Sequence, residues 1–83
     1  MNVNSIEYHL EFYNEDGEQV EHYGNMESAV ILPRVGELAS FLDKERTFEV
    51  TRIVHEFKEY QTPFSIGYVA KIYGKEVSFE PRR

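Results

Sequence analysis

The 83-residue chain contains no cysteine and no tryptophan, only three prolines and five glycines, and its first 32 residues contain no lysine or arginine. Each absence removes a class of answer. Without Cys there is neither a disulfide nor a thiolate metal site, so a chain this short must hold one modest core in a single domain by packing, with association between copies as the remaining source of stability. The lack of Cys also suits a reducing compartment. No basic segment leads into an apolar one near Met1, and no run is long enough to cross a bilayer, so the sequence predicts a cytoplasmic protein without membrane contact. Asp16 and Asp43, the only aspartates, fall in turn-like sequence; no glycine-rich phosphate loop occurs, and the three histidines are far apart. With no nucleophile beside a base, no paired carboxylates and no metal cage, the expectation is a non-enzyme: no catalytic residue, no metal, no cofactor.

The net charge of −6 is unevenly spread: residues 1–32 carry seven acids and no base, residues 33–83 eight acids and nine bases. An acidic first half repels phosphate backbones over roughly 8 Å in physiological salt, which disfavours general nucleic-acid binding. A solvated acidic face that keeps a small protein soluble is the plainest reading of that charge.

Residues 5–13 alternate, with Ile6, Tyr8, Leu10 and Phe12 on one face and Glu7, His9, Glu11 and Tyr13 on the other, which is a strand. Asn14-Glu15-Asp16-Gly17 is a turn. A three-residue Glu-Asp-Gly loop pairs Phe12 with Val20 and Leu10 with His22, keeping the apolar face together, and places Gly17 at a left-handed position; it also sets Glu11 against Glu21. Pro33 makes residues 28–32 an edge segment. Residues 36–42 suit either a strand or a short helix, and the strand is preferred. Residues 47–57 form the central strand: Phe48 and Val50 share one phase, Ile53 and Phe57 the other, and the slip at Thr51-Arg52 calls for an inserted residue and a bend. From Phe64 to Ile72 alternation resumes, and Gly74-Lys75 reads as a type II′ turn pairing Ile72 with Val77. The sum is an all-β fold, a small SH3-like partly closed barrel of five or six antiparallel strands, or α+β if the helix near 36–42 forms.

Leu32-Pro33-Arg34-Val35-Gly36-Glu37-Leu38, followed by Phe48-x-Val50-x-x-Ile53-Val54-His55, resembles a Pro-x-Val-Gly-Glu pattern of small uncharacterised bacterial and phage proteins with SH3-like barrels. The resemblance covers about a third of the chain and implies the fold alone.

Tyr13 and Tyr23, with the acids Glu7, Glu11 and Glu21 of the first hairpin, are the candidate protein-interaction residues, because exposed tyrosines on a barrel anchor partners. Arg34, Arg52 and Lys71, with Tyr60 and Tyr73, are the candidate ligand-binding residues, since Arg at a bend and stacked rings suit a small anionic molecule. A metal held by His9 with Glu7, Glu11 and Glu21 is set aside, as side chains two apart on a strand project in parallel. These residues predict a non-catalytic binding module that self-associates and takes a protein partner. The alternatives are a phage-type protein sequestering a small anionic nucleotide, and an acidic DNA mimic using Glu7, Glu11, Glu21 and Glu27.

Overall fold

The computed structural model describes residues 5–26, 32–59 and 65–79. Five strands, β1 (Ser5–Tyr13), β2 (Gln19–Met26), β3 (Leu38–Phe41), β4 (Arg46–Glu59) and β5 (Ser65–Val77), form one sheet in the order β2-β1-β5-β4-β3. The protein is all-β and the sheet curls into a partly closed barrel. No α-helix occurs among the described residues; the short helix considered near 36–42 is replaced by β3 and a single 3₁₀ turn at Leu42–Lys44.

One seam departs from the all-antiparallel expectation. β1 and β5 run parallel, Ser5 facing Ser65 and Tyr13 facing Tyr73 with no interruption. Both faces hold that register. Leu10 meets Ala70 and Phe12 meets Ile72 in the core, while Tyr13 stacks on Tyr73 outside, ring centroids 5.1 Å apart. A slip of one residue would turn either Phe12 or Ile72 toward water.

The slip in β4 is a bulge between Val50 and Arg52 in its antiparallel pairing with β5. Thr51 is the inserted residue, so Val50 and Ile53 both reach the core side. The backbone there is fully occupied. Val50 accepts from the Gly36 amide and donates to the Glu37 carbonyl, each at 2.8 Å, and the Thr51 hydroxyl donates to the Tyr73 carbonyl at 3.2 Å. This gives the Pro-x-Val-Gly-Glu stretch a structural role: Gly36 takes a φ of 95°, and the Glu37 carboxylate accepts the Arg34 amide at 2.8 Å, closing a turn onto the bulge. Phe57 shares the face of Ile53, yet it is 74% exposed because the core ends before it.

Gly74 corrects the expected second hairpin. β5 continues through Gly74-Lys75, and Val77 pairs with Thr47 instead of folding back on Ile72. Gly74 does not have a positive φ. It faces Val50 at the bulge, where a Cβ would lie 2.9 Å from the Phe48 Cβ and 3.1 Å from the Glu49 carbonyl oxygen. Glycine is there for close approach, not for a turn.

The first hairpin has the expected turn and a different register. Gly17 is left-handed, φ 84°, and Asn14 closes the loop with its amide on the Glu18 carbonyl. Val20 is then an inserted residue, so Phe12 faces Glu21, Glu11 faces His22 and Leu10 faces Tyr23. The register of Phe12 with Val20 and Leu10 with His22 is lost, and so is the Glu11–Glu21 repulsion. The insertion is favourable because Val20 still packs against the core.

The core is Leu10, Phe12, Val50, Ala70 and Ile72, with Val20, Leu32, Ala39, Phe41, Ile53 and Tyr68 packed around it. Thr47, 1% exposed, shares a 2.7 Å hydrogen bond with Ser40, so its buried hydroxyl is satisfied. The barrel narrows where the edge strands β2 and β3 approach: Phe41 meets Phe12 edge-on at 4.9 Å, and Lys44 reaches across to the Val20 carbonyl at 3.0 Å. Side chains, not a backbone ladder, make this closure. Gly74→Ala forces Cβ against Phe48 and the β4 backbone, and is expected to cost about 2 kcal/mol, read as a lower midpoint in denaturant unfolding. A neutral or stabilising Gly74→Ala would refute the close-approach reading.

Candidate interaction site

The outer face of β1, β5 and β4 gathers residues that lie far apart in sequence. The parallel register sets Tyr13 against Tyr73, and the pairing beyond the bulge sets Tyr73 against Arg52. The result is a stack across three strands: the Tyr13 and Tyr73 rings lie 21° apart in plane, and the Arg52 guanidinium carbon sits 4.1 Å above the Tyr73 ring centroid. A ring-on-ring contact contributes roughly 0.5–1.5 kcal/mol and an exposed cation–π contact roughly 0.5–1. No carboxylate pairs with Arg52 among the described residues.

Beside the stack runs a charged row. Lys71 faces Glu11 across the parallel seam and forms an ion pair with Glu56 at 3.3 Å. The Tyr13 hydroxyl donates to the Glu11 carboxylate, which holds the phenol proton and pushes the Tyr13 pKa up to about 12, with loss of hydration and the charge on Glu11 adding to the effect. The face therefore carries two cations and two carboxylates around a pair of fixed rings.

Of the candidate ligand-binding residues, Arg52, Lys71 and Tyr73 come together here, joined by Glu11 and Tyr13 from the candidate protein-interaction set. Arg34 stands in the turn at the bulge, with no ion pair or ring contact to Arg52 or Tyr73 among the described residues. Tyr60 lies outside the described residues, as does Glu27, and the Glu7 side chain is likewise not described although Glu7 stands on β1.

Glu21 and Tyr23 belong elsewhere. They line a cavity of about 310 Å³ at the β2–β3 closure together with Ser40, Phe41, Leu42, Asp43 and Lys44. Lys44 bridges to Glu21 at 3.2 Å. The His22 amide, then the Lys44 ammonium, hold the Glu21 carboxyl below its ordinary pKa. The cation that meets the acidic hairpin here is thus Lys44, not Arg52. Arg46 instead takes Glu76 in a two-pronged pair, at 2.9 and 3.1 Å. Lys44 was missed because a lysine in a charged turn has no periodicity to assign its direction. Glu56 could have been found, since it shares the phase of Arg52 after the slip.

On the inner face, His55 is hydrogen-bonded to the Tyr68 hydroxyl at 2.6 Å and stacked on its ring. Burial raises the Tyr68 pKa. No group of three or more metal-ligating side chains occurs among the described residues, and no helix there is long and apolar enough to cross a membrane.

Fold and site together define a class, a small partly closed all-β barrel with an aromatic and charged outer face. Compared with known proteins, the chain matches no family model, no curated protein and no solved structure.

The Tyr13–Glu11 bond has a pH signature. A phenol whose pKa is higher in the fold than its ordinary 10.0 favours the protonated native state. Its contribution is complete below pH 10 and is lost as the pH rises toward 12. Absorbance titration at the phenolate band should show one tyrosine ionising near pH 12, and Glu11→Gln should return it toward 10. A Glu11→Gln titration identical to the parent would exclude the bond.

Proposed function

We propose that this chain is a non-catalytic interaction module that docks a protein partner on the outer face of β1, β5 and β4 and works in the cytoplasm. The observation that carries the reading is the Arg52–Tyr73–Tyr13 stack. Tyrosine and arginine are the residues that most often dominate a protein interface, and here each is held before any partner arrives. Ring supports ring, Arg52 covers one face of Tyr73, and Glu11 anchors the Tyr13 hydroxyl. The surrounding row of Glu11, Lys71 and Glu56 suits a partner with alternating charge. Association between copies belongs to the same reading, because a core of so few buried side chains leaves a small chain in need of further stabilisation.

Sequestration of a small anionic nucleotide is supported less well. Such a ligand needs an open ring face and uncommitted cations, whereas Arg52 already lies on Tyr73 and Lys71 is neutralised by Glu56. DNA mimicry needs free carboxylates at phosphate spacing, and Glu11 and Glu21 are bound to Tyr13 and Lys44.

The test is affinity capture with the purified chain and its Arg52→Glu variant, alongside sedimentation of both. The parent should recover a defined partner and self-associate, and Arg52→Glu, which leaves the core untouched, should weaken partner binding by about tenfold or more. Equal capture by parent and variant, or a parent that stays monomeric and recovers nothing, would overturn the proposal. Calorimetry against cyclic mono- and dinucleotides separates the other reading, for which heat from one of them is required.

A further inference from the structure

Away from that stack, the cavity between the two edges of the sheet carries a different chemistry. The Val20 insertion decides which side chains reach it. In the register expected from sequence Glu21 and Tyr23 face outward; with Phe12 opposite Glu21 and Leu10 opposite Tyr23, both turn to the core side, toward β3. Tyr23 from β2 and Phe41 from β3 each meet Phe12 edge-on, at 6.3 and 4.9 Å, so two rings on one aromatic base line the cavity from opposite edges. The 3₁₀ turn that follows Phe41 adds Asp43 and Lys44 to the lining. A half-buried carboxylate on the apolar side of a hairpin is costly without a cation. Glu21 meets Lys44 at 3.2 Å, and the same ammonium donates to the Val20 carbonyl at 3.0 Å. The other Glu21 oxygen accepts the His22 amide at 3.1 Å, which fixes the carboxylate in place. Asp43 and the Tyr23 hydroxyl have no hydrogen bond or ion pair among the described residues.

We propose that this cavity binds an alkylammonium group, the end of a lysine side chain or a free amine of that size, in exchange for Lys44. A cation beside aromatic rings is drawn to their π-electrons, and carboxylates at the same place add charge. Tyr23 and Phe41 supply the rings, Glu21 and Asp43 the charge. The chemistry is already on display, because the group that Glu21 holds is itself an ammonium. The Lys44 side chain is 45% exposed on a short turn, and an exposed ion pair of this kind is weak enough to be exchanged. A volume of about 310 Å³ lies at the small end of ligand sites and suits one side-chain terminus. An anion would meet two carboxylates and a single ammonium that is already committed. The seven acids of residues 1–32, with no lysine or arginine among them, raise the local concentration of cations around β2. The site is separate from the Arg52–Tyr73–Tyr13 stack and does not depend on it.

The test follows backbone amide resonances of the full chain while choline, or a capped peptide with one central lysine, is added; the same peptide with norleucine is the uncharged control. Shifts should centre on Tyr23, Phe41 and Lys44 and saturate by about 10 mM for at least one of the two cations. Saturation by the peptide alone supports the site with a lysine side chain as occupant, and saturation by choline alone supports it with a free amine. Tyr23→Leu and Glu21→Gln should each weaken binding about threefold or more, while Lys44→Met, which removes the internal competitor, should tighten it by about the same factor. Glu15→Gln takes one charge from the same hairpin outside the cavity and should bind as the parent does. No saturable shift with either cation, an equal response to the norleucine peptide, or a Lys44→Met chain that binds no more tightly than the parent would overturn the assignment.

Discussion

Val50 and Ile53 must face the same side of one sheet, which three residues of regular strand do not allow. The conflict is resolved by lodging Thr51 as an extra residue in β4, and much of the architecture follows from that local solution. Gly74 yields its side chain so that the two backbones can approach, the Gly36 amide donates to the Val50 carbonyl and the Glu37 carbonyl accepts the Val50 amide, and the Thr51 hydroxyl donates to the carbonyl of Tyr73. The added twist bends the long strand and curls the sheet. At the end of that curl the opposite edges are close enough for Phe41 to touch Phe12 and for Lys44 to span to β2.

The same bend sets up the outer surface. Arg52 follows the inserted residue directly and is turned outward over Tyr73, while the parallel seam delivers Tyr13 to the other side of that ring. Core and surface are thus two faces of one register. A substitution that erased the bulge would displace Ile53 from the interior and Arg52 from the stack together, so the core and the outer stack cannot be varied independently at this point.

The slip at Thr51-Arg52 was legible in sequence because alternation is strict and a change of phase leaves a mark among apolar residues. The turn at Gly17 was legible for a similar reason, as its chemistry is local. What escaped was set by contacts between distant segments. Gly74 looks like a turn former when its neighbours along the chain are considered, and its true constraint, the Phe48 side chain and Glu49 backbone, lies on another strand. Val20 escaped because either register buries it, so the pattern could not reveal the insertion that turns His22 outward. Of the outer site, the residue types were readable and their assembly was not: Arg52 and Tyr73 meet Tyr13 only through a parallel pairing that no hairpin signal announces.

The parallel seam also dictates when the molecule can come into being. Leu10 and Phe12 find their principal neighbours, Ala70 and Ile72, sixty positions further along the chain. The acidic hairpin therefore emerges from the ribosome before β5, the neighbour that pairs with it, has been made, and that pairing must overcome the entropy of closing a long loop. High contact order of this kind slows folding. The segment that must wait for its distant strand is also the one that carries seven acids and no lysine or arginine among its first 32 residues.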